Sequence, residues 1–398
     1  MVGRRRRFSG SNSLTKVTGA IYTGRTGRSA LDPTVWSSTS RRLFMSLDGL
    51  GVLRRAIGVE LGRSEKAVHL ARNFSPRRDR WKARFHLHPD YRDAMTRWLD
   101  RRLTDDERRG PLLQIGSMFD MARLTSGTGG DGRCYSYHDG CLAERLVSPI
   151  PFPSIGRQRI DRALEYERRV SGGMTRVFTF SNYLRESMIR NYGLNAERVV
   201  AIGTGLNLDR RPEPDPDKRY DTQRVLFIGA DFRRKGGEQL LKAFAAVRES
   251  LPRAELHIVG PRGLTISGPQ AGGVTVHGFL DKSVAADAAR LDGLFREASL
   301  FVLPSLYEPF GMAPLEAMAH QIPCLVSNGW ALAETVKAGV TGGLVEPGSV
   351  DDLAAQMTGM LSDPDRLSVL GHAARRHVDD LPSWEAFARK MAALMGVG

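Results

Sequence analysis

Two glutamates, Glu308 and Glu316, stand eight positions apart on either side of Gly311, in the segment LPSLYEPFGMAPLEAM that runs from 303 to 318. Carboxylates are strong acceptors for the hydroxyls of sugars. Before them, Leu300–Leu303 is an apolar run long enough for one buried strand. After them, Pro314 sits where the first turn of a helix tolerates proline. The pattern predicts strand, turn and helix, with Glu316 in the first helical turn. The amides of Phe310, Gly311 and Met312 would then face anions or hydroxyls, and Gly311 lets a ligand approach closely. A second set is Gly229-Ala230-Asp231-Phe232-Arg233-Arg234-Lys235-Gly236, again between a strand and a helix. There Gly229 allows the backbone to approach a diphosphate, and Lys235 can neutralise it. A third is His138-Asp139-Gly140, behind the short strand-like Tyr135–Tyr137.

These sets need elements to hold them. In the first half, strands are expected over Val17–Thr23, Arg54–Leu61, Pro111–Gly116 and Thr175–Phe180. Helical spacing runs through Thr34–Leu50, much of 72–110, Gly140–Val147 and Arg157–Gly172, and Ser181 is a suitable N-cap for a helix through Tyr192. Trp36-Ser37-Ser38-Thr39 either lines an acceptor side or belongs to the core. Ser126–Gly132 is a glycine-rich loop without the Gly-Lys-Ser/Thr of a P-loop. Asn207–Thr222, with three prolines and many charges, predicts a linker. Beyond it, strands at Arg224–Gly229, Glu255–Val259, Val274–Val276, Leu300–Leu303, Cys324–Ser327 and Gly343–Val345 alternate with helices, the pattern of a parallel doubly wound sheet. Trp384, Phe387, Met391 and Leu394 share one helix face near the C-terminus.

The 303–318 segment resembles the E-x7-E motif of the family 4 (group 1) retaining glycosyltransferases. RVLFIGADFRRKGGEQLL (224–241), ELHIVG (255–260), VTVHGF (274–279), PCLVS (323–327) and ETVKAGVTGGLVEP (334–347) follow in that family's order. YSYHDG (135–140) and LQIGSMF (113–119) also look familiar for such enzymes. The resemblance covers roughly residues 175–365. It implies an α/β chain of GT-B architecture: two Rossmann-like domains facing each other across a cleft. The expected layout is a disordered tail (1–14), an acceptor-side domain (15–206), a linker (207–222), a nucleotide-sugar domain (223–377) and a terminal helix crossing back to the first domain (378–398). It further implies that Lys235 contacts the donor diphosphate, that Glu316 accepts from the two ribose hydroxyls, and that Glu308 and His138 lie near the donor sugar. The family's arginine after the first glycine is Ala230 here, and Arg233 or Arg234 could replace it. The implied reaction is retaining, metal-independent transfer of a sugar from a nucleotide-diphosphate donor to a hydroxyl acceptor, without a cofactor.

Composition narrows the setting. The chain has 398 residues, 41% of them hydrophobic, which favours two packed domains over disorder. Three cysteines fit reduced thiols better than a disulfide framework. No run suits a membrane span, and Arg4–Arg7 precede no apolar signal region. Cys134, His138 and Cys141 span eight residues but match no common zinc spacing, and His86 and His88 would alternate along a strand. Asp215-Pro216-Asp217 falls in the charged linker rather than at a strand end, so no metal site is expected. Of the net charge of +14, residues 1–224 supply 42 Lys and Arg against 25 Asp and Glu, and residues 225–398 supply 16 against 19. A basic first half suggests either an anionic partner or merely solvated charged faces. The expectation is a cytoplasmic enzyme of cell-surface glycan or glycolipid synthesis, with a glycan or lipid-linked acceptor and peripheral contact with an anionic inner membrane face. Two other classes stay open: a catalytically silent nucleotide-sugar binder, and a basic nucleic-acid binder, for which no recognised motif is present.

Overall fold

The computed structural model describes residues 15–125, 132–208 and 210–398. The expected tail 1–14, most of the loop 126–132 and residue 209 of the expected linker lie outside the described residues. Among the described residues twelve strands form two six-stranded sheets, all parallel. In the N-terminal lobe they are β1 (Val17–Tyr22), β2 (Leu53–Val59), β3 (Leu112–Ile115), β4 (Cys134–His138), β5 (Arg176–Thr179) and β6 (Val199–Ala201), in the order β2-β1-β3-β4-β5-β6. In the C-terminal lobe they are β7 (Arg224–Ile228), β8 (Glu255–Val259), β9 (Val274–Gly278), β10 (Leu300–Leu303), β11 (Cys324–Ser327) and β12 (Gly342–Val345), in the order β12-β11-β10-β7-β8-β9. Strands covered on both faces read as continuous apolar runs. All four residues of β10 are fully buried.

Among the described residues nine α-helices accompany the first sheet: α1 (Thr39–Gly49), α2 (Arg63–Arg72), α3 (Arg78–His86), α4 (Pro89–Asp100), α5 (Asp105–Arg109), α6 (Ala122–Thr125), α7 (Leu142–Val147), α8 (Arg157–Gly172) and α9 (Asn182–Tyr192). Seven follow: α10 (Gly237–Ser250), α11 (Ala285–Glu297), α12 (Met312–Ala319), α13 (Leu332–Thr335), α14 (Val350–Leu361), α15 (Pro364–Asp379) and α16 (Trp384–Met395). Local chemistry sets several ends. The Ser181 hydroxyl accepts from Leu184 N at 3.1 Å to start α9, and left-handed Gly193 stops it. Thr104 and Glu107 form a reciprocal capping box on α5.

The structure departs from the sequence reading in four places. Three-residue β6 was not anticipated; a strand that short carries no alternation to read. His86 and His88 lie on no strand: His86 ends α3, and the His88 ring caps α4 by accepting from Asp90 N at 3.2 Å. Glu316 is the fifth residue of α12, past its first turn, because left-handed Gly311 delays the helix to Met312. The second half of the linker is anchored instead of solvated. The Lys218 ammonium donates to the carbonyls of Phe295, Arg296 and Ala298 at 2.8–3.0 Å, Asp215 N donates to Gln321, and Tyr220 is buried.

Helix α16 packs across the N-terminal sheet. Trp384, Phe387 and Met391 join the cluster of Phe44, Tyr135, Tyr137 and Phe178. Its end is pinned by Tyr135 Oη to Met395 O (2.7 Å), and its start by Trp384 Nε1 to Leu206 O (3.0 Å).

Candidate active site

In an open parallel sheet a crevice opens beyond the carboxyl ends of the strands where the strand order reverses. In the C-terminal sheet that point lies between β7 and β10. The loops leaving these strands carry the two sequence-predicted sets, and they meet there. Lys235 Nζ donates to Glu308 Oε2, and both side chains are mostly buried. Ser305 Oγ donates to the same oxygen at 3.4 Å. Arg234 reaches Tyr307 O at 2.9 Å and pairs with Asp231, and its guanidinium comes within 4.0 Å of Glu308. Arg233 is exposed. Of the two arginines weighed for the position vacated at Ala230, Arg234 is therefore the one turned into the site.

The turn's backbone explains its glycines. Gly236 has φ +75°, and a Cβ there would lie 1.9 Å from Pro304 O. The β7 loop thus rests directly on the end of β10. Gly311 has φ +93°, and its missing side chain leaves room for Leu332. Among the described residues the amides of Phe310, Gly311 and Met312 have no backbone or side-chain acceptor. Glu316 is 7% exposed, and both its oxygens accept from Lys282 Nζ, at 2.7 and 2.8 Å. Sequence reasoning missed Lys282, which follows β9 and lies 34 positions from its partner; a lone lysine in a polar turn gives no local signal of that pairing.

The N-terminal lobe meets this site through the end of β4. A Cβ on Gly140 would come within 3.1 Å of Pro309 Cβ and 3.4 Å of the Tyr307 hydroxyl. Phe180 packs edge-on against Phe310, ring centroids 5.2 Å apart. Strand alternation puts Tyr137 and His138 on opposite faces of the sheet. Tyr137, on one face, bonds Gly203 O and contacts Trp36 and Phe180. His138 takes the other face. It is 3% exposed, its Nε2 has no hydrogen-bond partner, and burial pushes its pKa down to about 4 against the opposing charge of Glu167 on α8. The structure brings together Lys235, Glu308, Arg234, Gly229 and the 310–312 turn, with Glu316 on the same helix as Met312; His138 is buried in the N-terminal lobe.

Asp139 follows β4 directly. Its carboxylate accepts from Trp36 Nε1 at 2.8 Å, and burial raises its pKa, with the negative charge of Glu308 adding to the rise. Trp36, Ser37 and Ser38 all have positive φ, 48°, 51° and 67°. Three successive non-glycine residues in that region are costly, and such strain concentrates at functional sites. Nearby, Glu144 on α7 is 1% exposed, and burial raises its pKa to about 7. Among the described residues no group of three or more His, Cys, Asp or Glu could hold a metal ion. Cys134, Cys141 and Cys324 are buried free thiols.

Comparison with known proteins agrees with this layout. Residues 210–377 match the family described as Glycosyl transferases group 1. A D-inositol 3-phosphate glycosyltransferase of Rhodococcus opacus is 28% identical over 236 residues, 55% of this chain and 52% of that protein. A glycogen synthase of Mycobacterium tuberculosis is 27% identical over 280 residues, 64% of this chain and 66% of that one. The chain thus spans about half the length of the first of these curated relatives. Among solved structures, a sucrose-phosphate synthase from Thermosynechococcus elongatus superposes with a TM-score of 0.70 at 20% identity, covering 95% of this chain and 98% of its own. HepE of Anabaena, solved with UDP, gives 0.64 at 14%, covering 96% and 99%. The fold is GT-B.

Proposed function

We propose that this chain, whose residues 210–377 match the group 1 glycosyl transferases, moves a sugar from a nucleotide-diphosphate donor to a hydroxyl acceptor with retention of configuration and without a metal ion. The observation that carries the reading is the meeting of Lys235 and Glu308 at the switch point of the C-terminal sheet, directly opposite the end of β4. HepE, of the same fold, is solved with UDP, which supports a nucleoside diphosphate as the donor's leaving group.

In this reading the diphosphate lies on the free amides of the 310–312 turn, with Lys235 and Arg234 neutralising the charge that grows as it leaves. Lys235 turns from Glu308 to the phosphate, or is shared between them. Glu316 accepts from the ribose hydroxyls and exchanges its pairing with Lys282 for them. Glu308 and Asp139 flank the sugar from the two lobes, and His138 supports Asp139 from the core. The acceptor hydroxyl attacks on the face from which the diphosphate departs, and its proton passes to the leaving phosphate oxygen. Closure of the lobes, through the contacts of Gly140 and Phe180 with the 307–310 turn, keeps water from the donor. The acceptor is a glycan or lipid-linked glycan, taken up on the basic N-terminal lobe.

The test is release of free nucleotide from a panel of nucleotide sugars, with the anomeric configuration of any product read by NMR and a parallel arm in EDTA. Acceptor-dependent release, a retained anomer and activity within about twofold in EDTA are expected. Inversion, or loss in EDTA restored by Mn2+ or Mg2+, would overturn the retaining or the metal-free part. Tight nucleotide-sugar binding without any release would favour the silent binder.

A further inference from the structure

Each of the two buried carboxylates of the 308–316 segment is held by a lysine from a different loop. Glu308 takes Lys235, which follows β7. Glu316 takes Lys282, which follows β9, through both oxygens at 2.7 and 2.8 Å. The first lysine stands beside the turn proposed for the diphosphate. The second occupies the very oxygens proposed for the ribose hydroxyls.

The turn that carries Lys282 is tied at several points. Asp281 Oδ1 accepts from Ser283 N at 2.9 Å and from Ser283 Oγ at 2.7 Å. Asp281 N donates to Asp287 Oδ2 at 2.9 Å, in the first turn of α11, and Val284 N donates to Asp281 O at 2.9 Å. The Arg262 guanidinium covers the Phe279 ring, 4.1 Å from its centroid. With the backbone tied in this way, Lys282 leaves Glu316 by rotating its side chain. That side chain is about half exposed, so there is open space for the rotation. The ammonium stays within a side chain's reach of the crevice.

The place it can turn to follows from α12. Glu316 lies four residues beyond Met312, on the same side of the helix and about 6 Å along its axis. The carboxylate that Lys282 leaves is thus one turn away from the amides of the 310–312 turn. A nucleoside offers hydroxyls to Glu316, which are neutral donors, and offers the displaced ammonium no anion. Parting a cation from a buried carboxylate is unfavourable when one charge is left without a partner. A nucleoside diphosphate offers both replacements: hydroxyls to Glu316 and phosphate oxygens to Lys282. We infer that Lys282 is a specificity-determining residue, which makes the crevice select ligands that carry a diol and an anion together. This rests on the reading of the crevice as a nucleoside-diphosphate site, and names the residue that couples recognition of the two ends of the ligand.

Calorimetric titration of the full chain tests it, with UDP, GDP and ADP and with uridine, guanosine and adenosine. The nucleosides are also run in competition with the diphosphates, which registers millimolar affinity. The quantity read is how many fold tighter a diphosphate binds than its own nucleoside. In Lys282→Gln that ratio is expected to fall at least tenfold: the nucleoside no longer displaces an ammonium, and the diphosphate no longer gains one. In Lys282→Arg, which keeps the charge, the ratio should stay within about threefold of the native value. A merely structural lysine would move both affinities together and leave the ratio unchanged. If Lys282→Gln keeps the native ratio, if Lys282→Arg loses it as fully as Lys282→Gln, or if no nucleoside competes on either chain, the inference is wrong, while diphosphate binding still supports the transferase reading. If none of the three diphosphates binds the native chain, the inference and the nucleotide-site reading fall together.

Discussion

Lys235 lies between one carboxylate of its own chain and the place proposed for the donor diphosphate, and that double duty shapes what its removal does. Lys235→Ala loses a charge-assisted contact worth ~1.5–3 kcal/mol, so turnover should fall tenfold to more than a hundredfold. It also leaves Glu308, largely buried, without its ammonium. Adding Glu308→Gln to it should restore melting temperature but not turnover; recovery of both would mean that Lys235 serves stability alone. Glu144 offers a test by pH. Its carboxyl is raised from the ordinary 4.5 to about 7 by burial, so it takes its proton in the folded state first. Its ionisation therefore destabilises the fold above pH 7, and that penalty fades as pH falls from 7 to 4.5. Denaturant unfolding of Glu144→Gln should show a gain over the native chain of at most about 3 kcal/mol at pH 8 that shrinks toward pH 5. A difference independent of pH would show that Glu144 does not titrate in this range.

Among the elements, α9 carries the least expected contact. Its first amides, Asn182 N and Tyr183 N, donate to the Glu334 carboxylate at the start of α13, in the other lobe. A carboxylate on two orphan amides at a helix N-terminus is a cap supplied across the cleft. Glu334→Ala should weaken lobe closure by ~0.5–2 kcal/mol. The radius of gyration by solution scattering should increase, while nucleotide affinity stays within a few fold. An unchanged radius and melting temperature would remove the latch. Elements with local signals were legible beforehand: Arg157–Gly172 and the Ser181-capped α9 match the sequence reading residue for residue. The strand-turn-helix units holding Lys235 and Glu308 were legible too, since glycine, proline and apolar runs mark them. The Glu334 cap spans 152 positions and the Asp139–Trp36 bond 103. In parallel sheets such pairings follow from crossovers, so nothing nearby in the chain announces them. His138 was singled out by its residue type, whereas the neighbouring Asp139, whose carboxyl feels the charge of Glu308, carries no such local signal.

At the scale of the molecule, the C-terminal lobe is nearly neutral and the N-terminal lobe basic. Helix α16 ties the chain's end back to the basic lobe, as Arg176 Nη1 to Leu394 O at 3.1 Å also shows. Among the described residues no helix is long and apolar enough to cross a membrane. Each basic residue near an anionic bilayer contributes up to ~1 kcal/mol, screened over ~8 Å at physiological salt. Sedimentation with anionic liposomes at low salt is therefore expected, with release as salt rises and no retention by neutral liposomes. A chain beginning at Ser13 excludes the contribution of Arg4–Arg7. If that chain stays in the supernatant beside anionic liposomes at low salt, the basic lobe has another purpose.

The central claim is that a nucleoside diphosphate occupies the crevice between the β7 and β10 loops. Melting temperature across a panel of nucleosides, monophosphates and diphosphates, on the native chain and on Lys235→Ala/Glu308→Gln, tests it most directly. The expected result is stabilisation by at least one diphosphate, well above its monophosphate and nucleoside, at ligand concentrations a hundredfold over the dissociation constant amounting to about 2.7 kcal/mol. That stabilisation should be largely lost in the double variant. A panel in which no diphosphate shifts the native chain, or one that shifts both chains equally, would contradict it.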